Sequence, residues 1–299
     1  YISYNSGNDN NDGKSEDKAF KNLGKVNSIT FKPGDKLRFK SGETWKGYFK
    51  LRGSGSQDKP IVIESYSSGN KPKIDGNGYQ AAVFIENQEY VNISGLDLTN
   101  EASHKNSNGS VKLMNQSSRS GEDERFGLLV LRHGSSNIND IKLDDIKISE
   151  IYPTPSNSDN NHQGYGIRFE SLNDDSVLNY YDGIQVENLD ISNTGHYGIH
   201  IVNRMSGAQP DYYHRNIVIK DSKFNNTGGS GIVLARCKDV LVENSEFKGS
   251  GSGNDSRMWN RGSSLWTYTC NDTVIQNNLF EDVYGPADSY GAHIDWGCE

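Results

Sequence analysis

The chain has 299 residues, 33% of them hydrophobic, with 32 glycines and a formal net charge of −8. An acid excess without long runs of one sign argues against nucleic acid or an anionic membrane as partner, yet leaves room for a basic cleft that takes an anionic polysaccharide. No apolar stretch approaches the roughly 20 residues of a membrane-spanning helix, and a 10% aromatic content set in periodic apolar runs excludes disorder.

Residues 1–24 read as an N-terminal cap. A short strand at Tyr1-Ile2-Ser3 precedes a polar stretch at 5–17, and Ala19-Phe20-Lys21-Asn22-Leu23 suggests a short helix. The chain starts at Tyr1 without Met; a removed secretion signal is expected although none is visible, and the expected location is secreted, periplasmic or cell-surface in a bacterium. Extended runs follow at Lys36-Leu37-Arg38-Phe39, Tyr48-Phe49-Lys50-Leu51, Pro60-Ile61-Val62-Ile63 and Pro72-Lys73-Ile74-Asp75-Gly76. The first full coil is expected at Ala82-Val83-Phe84-Ile85 with Val91-Asn92-Ile93-Ser94, and the rhythm resumes at Gly127-Leu128-Leu129-Val130-Leu131. Polar insertions interrupt it at 101–125, 154–163, 173–182, 205–215 and 251–261. Insertions of this kind decorate one face of a solenoid and wall its groove.

The C-terminal half repeats one pattern. Gly166-Ile167-Arg168-Phe169-Glu170, Gly198-Ile199-His200-Ile201-Val202, Gly231-Ile232-Val233-Leu234-Ala235, Ser264-Leu265-Trp266-Thr267-Tyr268 and Gly291-Ala292-His293-Ile294-Asp295 open 32, 33, 33 and 27 residues apart. Second runs follow the first four, ending at Asn188, Asp221, Asn244 and Asn277. The apolar residues alternate, as in a strand, rather than recurring every three or four, as in a helix. A propeller blade needs four strands and about 40 residues or more. Two or three short strands per repeat fit one coil of a parallel β-helix, in which stacked coils share a core. A single domain over residues 1–299 is expected.

The opening, with Gly7-Asn8-Asp9, Ala19-Phe20-Lys21, Lys32-Pro33-Gly34-Asp35, Lys59-Pro60-Ile61-Val62-Ile63 and Ile74-Asp75-Gly76, resembles the start of secreted right-handed parallel β-helix proteins of the pectin-lyase-like superfamily. The resemblance covers most of the chain. It implies the fold and a carbohydrate substrate: members include hydrolases acting on fucans, fucosides and xylans, and lyases acting on uronate-containing glycans.

Within each repeat, the second and fourth residues after the opening position should point outward. One column then reads Leu129, Arg168, His200, Val233, Trp266, His293, and the next reads Leu131, Glu170, Val202, Ala235, Tyr268, Asp295. A merely solvated face would carry Thr, Ser, Lys and Asn. Here two clusters form. Arg168, Glu170 and His200 are flanked by His196 and Arg204; Trp266 and Tyr268 join His293 and Asp295, with Asp288 just before. Aromatic rings beside polar groups suit a sugar ring, and Trp259 in the last insertion suits a sugar-binding wall. Glycoside hydrolysis needs two carboxyls. Asp295 and Asp288 are the expected pair, supported by His293, with Glu170 or Glu281 as substitutes and Asp295 as general acid. A plant or algal polysaccharide, sulfated or not, is the expected substrate. A β-eliminating lyase using Arg168, His200 and Tyr268 is the alternative, and a non-catalytic glycan-binding solenoid is a third reading. No lysine stands in the outward columns, which favours the hydrolase. No dense aspartate loop marks a metal, so no cofactor is expected, with Ca²⁺ the one metal considered. A monomer is expected. Cys237, Cys270 and Cys298 fall near one corner of successive coils and are expected to stack as small buried residues, disulfide bonding being the alternative.

Overall fold

The structure is a computed structural model that describes all residues except 107–122, 135, 156–161, 173–178 and 205–211. Among the described residues, twenty-four strands form three parallel sheets of eight. Each coil contributes one strand to each sheet, so the chain winds through eight coils as a right-handed parallel β-helix, the fold that the resemblance implied. Regular coiling begins earlier than the repeat pattern suggests. Lys36–Lys40, Thr44–Lys46 and Phe49–Leu51 are already the three strands of the first coil, and Ala81–Glu86 closes the second.

The repeat has two physical causes. The first is a glycine column at the start of the third-sheet strands. A Cβ on Gly166 would lie 2.5 Å from the carbonyl oxygen of Gly198, and one on Gly198 would lie 2.5 Å from that of Gly231. Glycine lets adjacent coils close to that distance; the same column also holds Ser264 and, in the second coil, Ala82, both fully buried. The second cause is the corner between the first and second sheets. Asp145, Asn188, Asp221, Asn244 and Asn277 occupy it with φ between 52° and 54°. Asparagine and aspartate tolerate this left-handed conformation better than other side chains.

Inward-facing residues stack in columns along the axis. Leu128, Ile167, Ile199, Ile232 and Leu265 form one, in register and fully buried. Phe224 stacks on Phe247 at 4.7 Å in another. At the N-terminus, Ile2 bridges Phe39 and Phe20, and the short helix α1 (Leu23–Asn27) buries Leu23 and Val26 against the first coil. Trp45 is fastened to this cap by its indole N–H, which donates to the Lys21 carbonyl at 2.9 Å. On the outside of the second sheet, Lys73, Asp97, Lys147, Asp190, Lys223 and Glu246 fall in register, so that positive and negative charges alternate from coil to coil.

Cys237 and Cys270 are buried where consecutive coils enter the first sheet, and the Cys298 sulfur lies 3.4 Å from the Cys270 amide nitrogen; all three thiols are free. The insertions expected at 101–125, 154–163, 173–182 and 205–215 lie wholly or partly outside the described residues. The described strands on either side of them include third-sheet strands. No helix is long and apolar enough to cross a membrane among the described residues.

Candidate active site

The third sheet carries the candidate site on its outer face. Backbone pairing aligns Leu129, Arg168, His200, Val233, Trp266 and His293 one above another, the column read from the sequence. Leu131, Glu170, Val202, Ala235 and Tyr268 align two residues further on. Asp295 extends that column, its amide donating to the Thr267 carbonyl at 2.9 Å.

The two clusters expected on this face are in different environments. Phe84, Leu129 and Leu131 pack with Phe126, Tyr165, Tyr197 and Val233 into a second apolar cluster, outside the solenoid core. Arg168 and Glu170 lie within this covered region, 2% and 0% exposed, and their side chains form an ion pair at 2.7 Å. Burial, the largest single influence, disfavours the Arg168 charge; Glu170, Tyr165 and Glu124 outweigh it, so the guanidinium pKa ends above its ordinary value. The pair therefore does not face a substrate groove, contrary to the expectation that it contacts sugar. Arg168 instead sits 5.0 Å from the Tyr165 ring centre, and Tyr165 stacks on His200 at 6.2 Å.

His196, expected to flank the substrate-binding cluster, and Trp259, expected in a sugar-binding wall, instead pack on each other. His196 is 5% exposed and stacks on Trp259 at 4.4 Å between ring centres, with 14° between planes. Its Nδ1 lies 2.7 Å from the Nδ1 of His162, so one ring donates and the other accepts. Trp259 thus has one face occupied by histidine, and its edge packs on the second apolar cluster. Arg204 ends the strand Ile199–Arg204, its backbone paired with Leu172.

The open part of the face begins at the fifth coil. A cavity of about 400 Å³ runs from His200 and Tyr197, over Val233 and Ala235, to Trp266, Tyr268, Asp295 and Trp296. Its floor at the sixth coil is two small apolar residues, and its far wall is aromatic. Asp295 stands in that wall. Its Oδ2 accepts the Trp266 indole N–H at 3.0 Å, and its Oδ1 accepts the Trp296 amide at 2.8 Å. The Trp266 ring stacks on His293 at 5.7 Å with 12° between planes. On the other side of that stack, Ser263 Oγ donates to the Asp288 main-chain carbonyl and lies 3.5 Å from His293 Nδ1. The Asp288 carboxylate is ion-paired with Arg261. Ser263, His293, Trp266 and Asp295 therefore form one connected polar and aromatic chain that reaches the Asp288 main chain, while the Asp288 carboxylate is held by Arg261 and does not line the cavity.

Trp296 and Tyr197 line the cavity and were missed in the sequence. Trp296 follows Asp295 directly, beyond the last repeated position, while Tyr197 precedes a repeat opening. Among the described residues, no group of three or more His, Cys, Asp or Glu side chains could hold a metal ion.

No protein-family model matches the chain. It is 22% identical to a lacto-N-biosidase from Bifidobacterium longum subsp. longum, over 99% of this chain and 23% of that protein. Its structure superposes on the native GH136 lacto-N-biosidase from Eubacterium ramulus with a TM-score of 0.77 and 20% identity, covering all of this chain and 54% of that one. The selenomethionine derivative of the same enzyme gives 0.76. The chain thus spans about a quarter of the curated relative and about half of the solved structures, and at this identity the likeness is one of fold.

Proposed function

We propose that the chain carries the catalytic face of a secreted glycoside hydrolase that acts on glycans, with Asp295 and Asp288 as the paired carboxylates. The observation that carries this reading is the Asp295 carboxylate set between Trp266 and Trp296 in a cavity lined by aromatic rings. A sugar ring needs a flat apolar partner and hydrogen-bonding groups at its rim. Trp266, Tyr268 and Trp296 supply the first, and His200 and Asp295 the second.

The sequence suggested Asp295 as general acid; the hydrogen bonding supports a different division of labour. Both Asp295 oxygens accept an N–H bond and keep a lone pair for the cavity, the disposition of a nucleophile or base. Asp288 is then assigned as the proton donor; because its carboxylate is ion-paired with Arg261, it must leave that pair and take up a proton from solvent before it can give one to the leaving group. Asp288 passes its proton to the glycosidic oxygen as the C1–O bond breaks, and Asp295 either bonds to C1 or takes a proton from the attacking water. If Asp295 bonds to C1, water hydrolyses that bond in a second step and returns a proton to Asp288. This chemistry needs no metal.

The fold likeness to enzymes named lacto-N-biosidases makes oligosaccharides ending in lacto-N-biose the first substrates to try, ahead of the plant and algal polysaccharides suggested by sequence. The lyase alternative is weakened because Arg168, its expected uronate partner, is buried against Glu170.

The test is a screen of both glycan sets with product analysis. New reducing ends without an ultraviolet-absorbing double bond, reduced by orders of magnitude in Asp295→Asn and Asp288→Asn, are expected. An unsaturated product would move the reading to the lyase, and glycan binding without turnover to a non-catalytic solenoid. Retention at C1 would assign Asp295 as nucleophile and inversion as base.

A further inference from the structure

A second cleft lies at the opposite end of the solenoid, where the chain turns from the second sheet into the third. It measures about 520 Å³, within the usual range for small-ligand sites. Tyr48 of the first coil and Tyr79 of the second line it with rings 4.9 Å apart and tilted by 56°. Left-handed backbone at Asn77 and Gly78, with φ of 46° and 83°, turns the chain just before Tyr79. Helix α1 forms the opposite wall and is held there by Asn27. Its amide nitrogen donates to the Tyr48 carbonyl at 2.9 Å, and its Oδ1 accepts the Lys50 amide at 2.8 Å. The cleft is therefore formed in advance of any ligand.

Its charge is opposite to that of the protein. Lys46 and Arg52 stand exposed on the rim, and no aspartate or glutamate lines the cleft. Neither cation makes an ion pair among the described residues, whereas their neighbours Lys50 and Arg38 are paired with Glu86 and Glu64 at 2.7 Å each. Two unpaired cations beside two mutually tilted phenol rings, on a chain of net charge −8, form a local basic cleft with aromatic surface in its lining.

We propose that this cleft binds an anionic sugar, a ring that bears a carboxylate or a sulfate, as one unit of a glycan. The ring packs on Tyr48 and Tyr79, and the anionic group meets Arg52 and Lys46. Tyr79 and Trp266 are five coil steps apart, roughly 24 Å along the axis. The site is thus separate from the Asp295 cavity, and its existence does not depend on the hydrolase reading.

The experiment is calorimetric titration and saturation-transfer NMR on the whole chain with glucuronic acid, glucose 6-sulfate, glucose and sodium acetate. At least one anionic sugar should bind about tenfold or more tighter than glucose and acetate, and the two anionic sugars distinguish carboxylate from sulfate. Arg52→Ala with Lys46→Ala should abolish that preference, and Tyr79→Ala should remove saturation transfer to the ring. Lys223→Ala, exposed on the outside of the second sheet and away from both cavities, should leave the binding unchanged. Lys46 and Arg52 are surface residues, so their variants should melt like the parent. The proposal fails if no anionic sugar binds at millimolar concentration, if glucose or acetate binds as tightly, or if the Lys46/Arg52 double variant binds like the parent.

Discussion

Trp266→Phe removes the indole N–H with the five-membered ring that carries it and leaves one aromatic ring in place. The phenyl ring keeps an apolar face against His293 and the cavity, while Asp295 Oδ2 loses the N–H that reaches it at 3.0 Å. A hydrogen bond to a charged group contributes about 1.5–3 kcal/mol net. Trp266 is only part-buried and the Trp296 amide still holds Oδ1, so the lower end of that range applies. About 1.5 kcal/mol corresponds to roughly a tenfold loss in kcat/KM, since each 1.4 kcal/mol is tenfold. The loss should fall on kcat more than on KM, because the stacking surface for the sugar is retained. Steady-state kinetics on the glycan found in the screen, with Trp266→Ala alongside, separates the two contributions: the alanine variant should raise KM as well. A Trp266→Phe enzyme with unchanged kcat, or one whose loss is entirely in KM, would refute the claim that this indole orients the Asp295 carboxylate.

Two further outcomes follow from packing and burial. Gly198→Ala places a Cβ 2.5 Å from the Gly231 oxygen, which also accepts the Ile199 amide at 2.8 Å, so the coils must part and strain that bond; a loss of about 3 kcal/mol is expected by denaturant titration. Gly24→Ala in helix α1 meets no atom within 4 Å and should instead be neutral or stabilising by about 0.5–1 kcal/mol, so equal effects of the two changes would contradict the close-approach explanation. His214 is fully buried, and desolvation lowers its pKa from 6.5 to about 4. The folded state therefore resists a proton that the unfolded chain accepts, and stability should fall as pH drops from 6.5 towards 4, by up to about 3 kcal/mol; His214→Asn should flatten that slope, and an unchanged slope would place the acid sensitivity elsewhere.

The outward columns were legible because the glycine column and the left-handed corner residues fix where each coil begins, and alternation then assigns every side chain to a face. That is how Arg168, His200, Trp266 and His293 could be aligned across more than a hundred residues. What alternation could not reveal is that a second layer covers part of the face. The signal was present in Leu128-Leu129-Val130-Leu131 and Ala82-Val83-Phe84-Ile85, where apolar residues occupy outward as well as inward positions. A strand that is apolar on both faces is buried on both faces. Arg168 and Glu170 share a coil edge with those leucines, so they are a buried ion pair rather than a substrate contact. His162 could not be placed because it lies within the insertion expected at 154–163, outside the repeat. The first two coils were not recognised as full coils because their corners lack the residues that mark the later ones.

The alternating charges on the second sheet bear on how such a solenoid can change length. From the second coil to the seventh, the sign at this position reverses at every step: Lys73, Asp97, Lys147, Asp190, Lys223, Glu246. Each unlike neighbour contributes a few tenths of a kcal/mol and each like neighbour costs a similar amount. Duplicating one coil would set lysine against lysine or acid against acid at the new junction. Duplicating two adjacent coils would leave the alternation intact. On this face the solenoid has a parity, so insertion or deletion of coils in pairs is electrostatically silent, whereas a single coil leaves a mismatch that a further substitution must repair.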